Sequence, residues 1–207
     1  METELLKIFN EKGIVTGTAT RAEVHRKGYW HETFHCWFIS KAEGKNYIYF
    51  QLRSKMKKDY PDLLDITAAG HLLAHESTED GVREVEEEIG IHVSIIDLMS
   101  LGILKYEAIR GELIDRELAH TYVYEYKKGF EDFQLQSEEV AGMYRADFTS
   151  FSELVTGDAT ELPIEGFELN EAGEKVKMRK NVTITSFVPH EEAFYRDVVN
   201  RIQAIIC

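Results

Sequence analysis

The chain has 207 residues, 43% of them hydrophobic and 29% charged, with a formal net charge of −13. That size and mixture describe a globular protein with room for one well-buried domain or two very small ones. The acidic balance argues against broad binding to nucleic acid or anionic membrane, which need basic surface, but not against a phosphorylated small molecule held through metal ions.

No apolar run reaches the roughly 18 residues of a membrane span. The N-terminus, Met1 to Lys7, lacks the basic and apolar regions of a signal peptide. Cys36 lies in an apolar, strand-like run and Cys207 ends the chain, so no structural disulfide is expected. These features imply a cytoplasmic, reduced protein.

Residues 2–10 read as a short helix or strand. The aromatic and β-forming run 31–40 reads as a strand, 42–46 as a turn and 47–53 as a second strand, so 31–53 forms a hairpin. Leu63–Ala69 is a short apolar run that leads to Gly70. Residues 79–89 are expected to be helical. Ser77 or Thr78 is its cap, Ser77 with Asp80 resembles a capping box, and Gly90 is the stop. Strands are expected within 93–104, over 117–126 and over 142–148, with a short helix over 151–155. Residues 156–182 turn polar, with a turn at 171–173 and the cations Lys175, Lys177, Arg179 and Lys180. A solvated surface excursion is the favoured reading there, and a hairpin or a loop over the site the alternative. Phe194, Val198, Val199, Ile202 and Ile205 recur at helical spacing, giving a C-terminal helix over 190–206. Strands and helices interleave without repeats or linkers, which suggests a single α/β domain over 1–207.

The chemistry is concentrated in 70–91. Glu84, Glu87 and Glu88 fall at i, i+3 and i+4, on one helix face. Three adjacent carboxylates repel unless a cation sits among them, and hard oxygen ligands favour Mg²⁺ or Mn²⁺. The competing explanation is a solvated acidic helix face. Against it, Glu84, Glu86, Glu87 and Glu88 have no Lys or Arg at i+4.

Gly70, Glu76, then Arg83-Glu84 and Glu87-Glu88 closed by Gly90-Ile91, resembles the signature of the Nudix hydrolases. In that family a Gly, five residues, a Glu and seven residues precede Arg-Glu. Here the second gap is six residues, Gly81 stands where alanine is usual, and His75 replaces a common glycine. These departures bear on the family's supporting contact between Glu76 and Arg83, not on the carboxylates. The resemblance implies a Nudix-type α/β/α sandwich with a mixed β-sheet. It implies Glu84, Glu87, Glu88 and the Gly70 carbonyl as metal ligands, Arg83 beside them, and water attack on a diphosphate phosphorus. Glu87 is one candidate to take the water proton, and Glu138 or Glu139 another; surface charge is the plain alternative for the last two.

Ala22 to His31, Ala68-Ala69-Gly70-His71 and Asp115-Arg116-Glu117 resemble the Nudix branch that contains type I isopentenyl-diphosphate isomerase. The positions matching that enzyme's metal site are His25, His31, His71, Asp115 and Glu117. For His25 and His31 a structural or substrate-contacting role is favoured over ligation. The isomerase needs a cysteine beside its Gly-His; here that residue is Ala69, whose methyl group moves no proton. His35 and His120 read as histidines at the edge of the core.

Arg53 is a candidate for bidentate phosphate binding, equally readable as a solvated strand end. His71 and His31 join it as candidate substrate contacts. Trp30, Tyr47 and Tyr49 are candidates for stacking on a base, but for aromatics on strands a core role is the favoured reading. The leading expectation is a divalent-metal-dependent pyrophosphohydrolase acting on a nucleoside di- or triphosphate, or on a related nucleoside-diphosphate-X compound. The alternatives are an isopentenyl-diphosphate isomerase and a nucleotide-sensing module without catalysis. A homodimer accords with the family; no nucleic-acid polymer or membrane partner is expected.

Overall fold

A computed structural model describes residues 3–111 and 113–206 of the chain. Among these, eleven strands join in one sheet. They are β1 (Leu5–Phe9), β2 (Val15–Thr20), β3 (Trp30–Ala42), β4 (Lys45–Arg53), β5 (Leu64–Asp65), β6 (Ala68–His71), β7 (Met99–Arg110), β8 (Leu113–Glu125), β9 (Val140–Asp147), β10 (Leu162–Leu169) and β11 (Lys175–Val182). The α-helices are α1 (Arg21–Lys27), α2 (Arg83–Ile89), α3 (Phe148–Thr156) and α4 (Glu192–Ile206). None is long and apolar enough to cross a membrane.

β3 is the axis. It runs parallel to β8, from Trp30 beside Arg116 to Ile39 beside Glu125, while the other pairings are antiparallel. The sheet is therefore mixed, as expected. Both faces of β3 are covered. Phe34, Cys36 and Phe38 pack with Val85 and Ile89 of α2. Trp37 and Ile39 belong to the opposite core, with Phe50, Phe151 of α3, and Val198 and Ile202 of α4. A strand buried on both faces reads as an unbroken apolar run rather than an alternating one. Burying each large side chain contributes ~1.5–3 kcal/mol.

The sheet forks, and the fork makes the site. β3 and β4 pair only near their connecting turn, from Ala42 opposite Lys45 to Ile39 opposite Ile48. Beyond that, β4 takes β5 as its neighbour and β3 takes β6. Thr67 fills the crotch. Its hydroxyl accepts from the Phe38 N–H at 2.9 Å and donates to the Tyr49 carbonyl at 2.6 Å. The strands spread apart, and Asp65, Ala69, Gly70 and His71 are delivered into the gap.

The stretch 79–89 is not one helix. A 3₁₀ turn covers Thr78–Val82, and α2 begins at Arg83. The Ser77 N–H donates to Asp80 at 2.8 Å, and Gly90, at φ 70°, stops α2. The physical reason lies in the short gap after Glu76. A 3₁₀ helix rises about 2.0 Å per residue against 1.5 Å for an α-helix, so fewer residues span the distance.

Residues 162–182 are not a solvated excursion. They form the β10–β11 hairpin, which continues the sheet beyond β9. Leu162, Ile164 and Val182 enter the core beside α3, while Lys175 and Lys177 stay exposed. α4 buries Phe194, Val198, Val199 and Ile202 and leaves Ile205 exposed. Cys36 is a free, buried thiol; Cys207 lies outside the described residues.

Candidate active site

Gly70 ends the fork beneath α2. A Cβ there would lie 2.2 Å from the Glu84 carboxyl carbon, so any side chain at this position would push the carboxylate off the strand. One turn on, the Glu88 carboxylate accepts from the Ala69 N–H and from Gln51 Nε2, both at 3.1 Å. Burial pushes the Glu84 carboxyl up to about 7, against the pull of Arg83. Burial, with Glu84 as neighbour, pushes Glu88 up to about 8. Two buried carboxyls with such high proton affinity are groups that call for positive charge. Glu87 differs: its side chain is 56% exposed.

Arg83 organises the helix start. Its Nε and Nη2 donate to the two oxygens of Glu76 at 2.6 and 3.0 Å, and Nη2 also reaches the His71 carbonyl at 3.1 Å. Nη1 lies 2.7 Å from Glu84 and 3.1 Å from Glu87. The short gap therefore leaves the Glu76–Arg83 contact intact. The acidic face does have an i,i+4 cation, on its N-terminal side: Glu87 is paired to the arginine four residues before it. Gly81 completes the adjustment: a Cβ there would meet the Phe34 ring at 2.6 Å, so the 3₁₀ turn lies too close to β3 for alanine.

These groups line one cleft of about 350 Å³. Gly70, His71, Arg83, Glu84, Glu87 and Glu88 stand on its wall. Arg53 and Glu139 lie there too, and Glu139 is ion-paired to Lys57. Glu138 is exposed and outside the lining. Trp30, Tyr47 and Tyr49 are also outside it. Trp30 lies under Lys105 and Tyr47 under Arg145, and Tyr49 is buried in the core.

A second cluster faces the same cleft. His25, His31 and His71 bring ring nitrogens within 4.8 Å of one another, and His31, Asp115 and Glu117 bring their ligand atoms equally close. His31 is fully buried, behind the cleft wall. Its Nδ1–H donates to the Tyr29 carbonyl at 3.2 Å, which leaves Nε2 as a bare acceptor in the neutral ring. That Nε2 faces Asp115 Oδ1 at 3.5 Å, and neither atom has a hydrogen-bond partner. Two buried acceptors facing each other call for a proton or a metal ion between them. Burial lowers the affinity of His31 and His71 for protons, and neutral imidazole is the form that binds a metal. His25 lines the cleft, where the expected structural or substrate-contacting role fits it; His31, also expected to contact substrate, is buried behind the wall and does not reach the cleft. His35, read as a core-edge histidine, supports the cluster. It bonds Glu117 at 3.0 Å, beside a Thr33 hydroxyl bond of 2.7 Å to the same oxygen. His120 pairs with Glu32, outside the cleft.

Sequence reading missed Asp65, Tyr106 and His190, which also line the cleft. No local spacing signals them, because Asp65 and His190 meet across 125 residues.

No family model matches the chain. It is 39% identical over 199 residues to an uncharacterized Nudix hydrolase of Clostridium acetobutylicum, an alignment covering 96% of this chain and 97% of that one. It is 30% identical over 109 residues to an isopentenyl-diphosphate Delta-isomerase of Aliivibrio fischeri, covering 51% of this chain and 60% of that one. A MutT/nudix family protein from Enterococcus faecalis has the same fold, with a TM-score of 0.53 and 12% identity over 84% of this chain and 62% of that one.

Proposed function

The chain belongs to the Nudix hydrolase family, whose members act on phosphorus anhydrides, and from that premise we propose a divalent-metal-dependent pyrophosphohydrolase. Its substrate is a nucleoside di- or triphosphate or a related nucleoside-diphosphate-X compound. The observation that carries this reading is the pair of buried carboxyls, Glu84 and Glu88, converging beside Gly70 in a cleft that also holds a histidine–carboxylate cluster.

Glu84, Glu87, Glu88 and the Gly70 carbonyl are the residues that would hold Mg²⁺ or Mn²⁺. His25, His31, His71, Asp115 and Glu117 would hold a further cation. When bound, such ions neutralise phosphoryl oxygens and acidify water. The protein groups do the rest. Arg83 fixes Glu84 and presents Glu87 from the helix start. Lys57 supplies positive charge on the cleft wall, and Arg53 keeps N–H groups beyond those bound to Asp59, Tyr60 and Asp65. The water oxygen forms a bond to phosphorus, the bridging P–O bond breaks, and the leaving phosphate keeps that electron pair. Glu139 takes the water proton. It is the member of the Glu138–Glu139 pair that faces the cleft, and Lys57 keeps it in place there.

Two observations weigh against isomerase chemistry. The Ala69 methyl occupies the position of the proton-moving thiol. Cys36 cannot replace it: it pairs with Ala68 in the sheet, packs in the core under α2, and burial raises its thiol far above the usual range.

The test is product release from a panel of nucleotides, nucleotide sugars and prenyl diphosphates with Mg²⁺ and Mn²⁺. Metal-dependent release that is lost in Glu88→Gln supports the reading. Release that survives in both Glu87→Gln and Glu88→Gln removes the site assignment.

A further inference from the structure

The loop 54–62 runs along the cleft between β4 and β5 and puts Lys57 and Tyr60 on its wall. Its backbone is strained at two non-glycine residues, Tyr60 at φ 50° and Asp62 at φ 60°. Left-handed backbone at such residues costs ~1 kcal/mol or more each and persists only where surrounding contacts enforce it.

Arg53 enforces it. From the end of β4 its Nε donates to the Tyr60 carbonyl at 3.1 Å, and its Nη2 to the Asp59 carbonyl at 2.8 Å. The backbone adds the Asp62 N–H to the Arg53 carbonyl at 3.2 Å. The guanidinium is itself held from behind, with Nη1 donating to Asp65 Oδ2 at 2.8 Å. Asp65 is 6% exposed. Its Oδ1 accepts from the Ile66 N–H at 2.9 Å and faces His190 Nε2 at 3.3 Å. A buried carboxylate is tolerated only with partners of this kind. His190 arrives from the segment before α4, seated by the Val188 N–H on the Leu64 carbonyl and the Tyr195 hydroxyl on the Val188 carbonyl, each at 2.8 Å. The chain of contacts thus runs from the C-terminal segment, through Asp65 and Arg53, to a strained cationic loop. None of the hydrolytic steps above uses Asp65 or His190.

We propose that Asp65 is a positioning residue for phosphate binding: through Arg53 it holds loop 54–62 so that Lys57 stands at the cleft, and His190 locks this arrangement from the C-terminal segment. The proposal rests on the reading of the cleft as a diphosphate site.

The test pairs a structural readout with a binding one, for wild type, Asp65→Asn, His190→Ala and His190→Gln. Amide hydrogen exchange reports the hold on 54–62. Calorimetric titration with methylenediphosphonate and Mg²⁺, a probe that cannot be hydrolysed, reports phosphate binding. Asp65→Asn and His190→Ala are expected to speed exchange in 54–62 but not in β3 or β8, and to raise the probe's Kd about tenfold, as losing a hydrogen bond to a charged group does. His190→Gln, which keeps an N–H donor, restores both. On a nucleotide that wild type cleaves, KM rises, and kcat falls with it because the released loop loosens the Lys57–Glu139 pair. Faster exchange with unchanged Kd overturns the positioning role, and unchanged exchange overturns the latch. Failure of the wild type to bind the probe refutes the diphosphate reading and the positioning role with it, and exchange then judges the latch by itself. Asp65→Asn that does not fold leaves the two His190 variants to decide between these outcomes.

Discussion

The Nε2 of His31 and the Oδ1 of Asp115 face each other at 3.5 Å, both buried and neither with a hydrogen-bond partner among the described residues. A proton or a metal ion between them makes that contact favourable, and a metal ion suits a ring that burial keeps neutral. Protein stripped with EDTA is therefore expected to gain stability on adding Mn²⁺ or Mg²⁺. At a hundredfold excess over Kd the gain is ~2.7 kcal/mol, or roughly 5–10 °C in Tm for a chain of this size. Asp115→Asn should lose the part of the gain that comes from the histidine–carboxylate cluster and keep the part from Glu84, Glu87 and Glu88, while Glu138→Gln keeps both. A thermal scan checks this, and an equal gain in both variants would contradict it.

Asp65 predicts how stability depends on acid. Burial by itself would raise its pKa, but His190, Arg53 and the Ile66 N–H outweigh that and leave the carboxyl at about 2, below its usual 3.8. A depressed folded pKa gives stability that is present above the unfolded value and lost as pH falls through the folded one. The difference in unfolding free energy between wild type and Asp65→Asn is expected to be constant above about pH 4 and to shrink by ~2 kcal/mol towards pH 2. Urea titrations across that range measure it. A constant gap down to pH 2 would contradict the pairing.

Gly81 carries the shortened loop. Gly81→Ala puts a methyl group against the Phe34 ring, and overpacking of this kind costs ~1–3 kcal/mol. In a Phe34→Ala background the cost of Gly81→Ala should be smaller, because the Cγ and Cδ2 that meet the new methyl group are gone. Denaturant midpoints of the single and double variants check it.

The proton acceptor is open to a direct comparison. Glu139→Gln is expected to lower kcat by a factor of about 10²–10⁴, the range for a general base. Glu138→Gln, exposed and outside the cleft, should leave kcat unchanged. A loss confined to Glu87→Gln would move the role to Glu87.

Much of this was legible in the chain because it is local. The 31–53 hairpin, the Gly90 stop and the α4 stripe follow from spacing within one element. Glu84 was legible from its spacing to Glu87 and Glu88, and Gly70 from the resemblance, and the structure brings the two together. The five positions of the histidine–carboxylate cluster came from resemblance; their convergence needed the parallel register that sets His31 beside Glu117. What the sequence hid is of two kinds. The β10–β11 hairpin was masked by the cations on its exposed face, which resemble a solvated loop. Asp65, Tyr106 and His190 were hidden because the fork and the return of the C-terminal segment unite residues with no short-range relation. Trp30, Tyr47 and Tyr49 stay off the cleft, in line with the favoured reading over base stacking, though a strand's periodicity does not tell which face meets the cleft.

The most direct test of the central claim is hydrolysis of the substrate found in the panel, run in H₂¹⁸O with Mg²⁺ and read by mass spectrometry. Attack of water on phosphorus predicts one ¹⁸O in a single phosphate product, with no label elsewhere and no turnover in Glu84→Gln. Unlabelled phosphate, or full turnover in Glu84→Gln, would contradict the account.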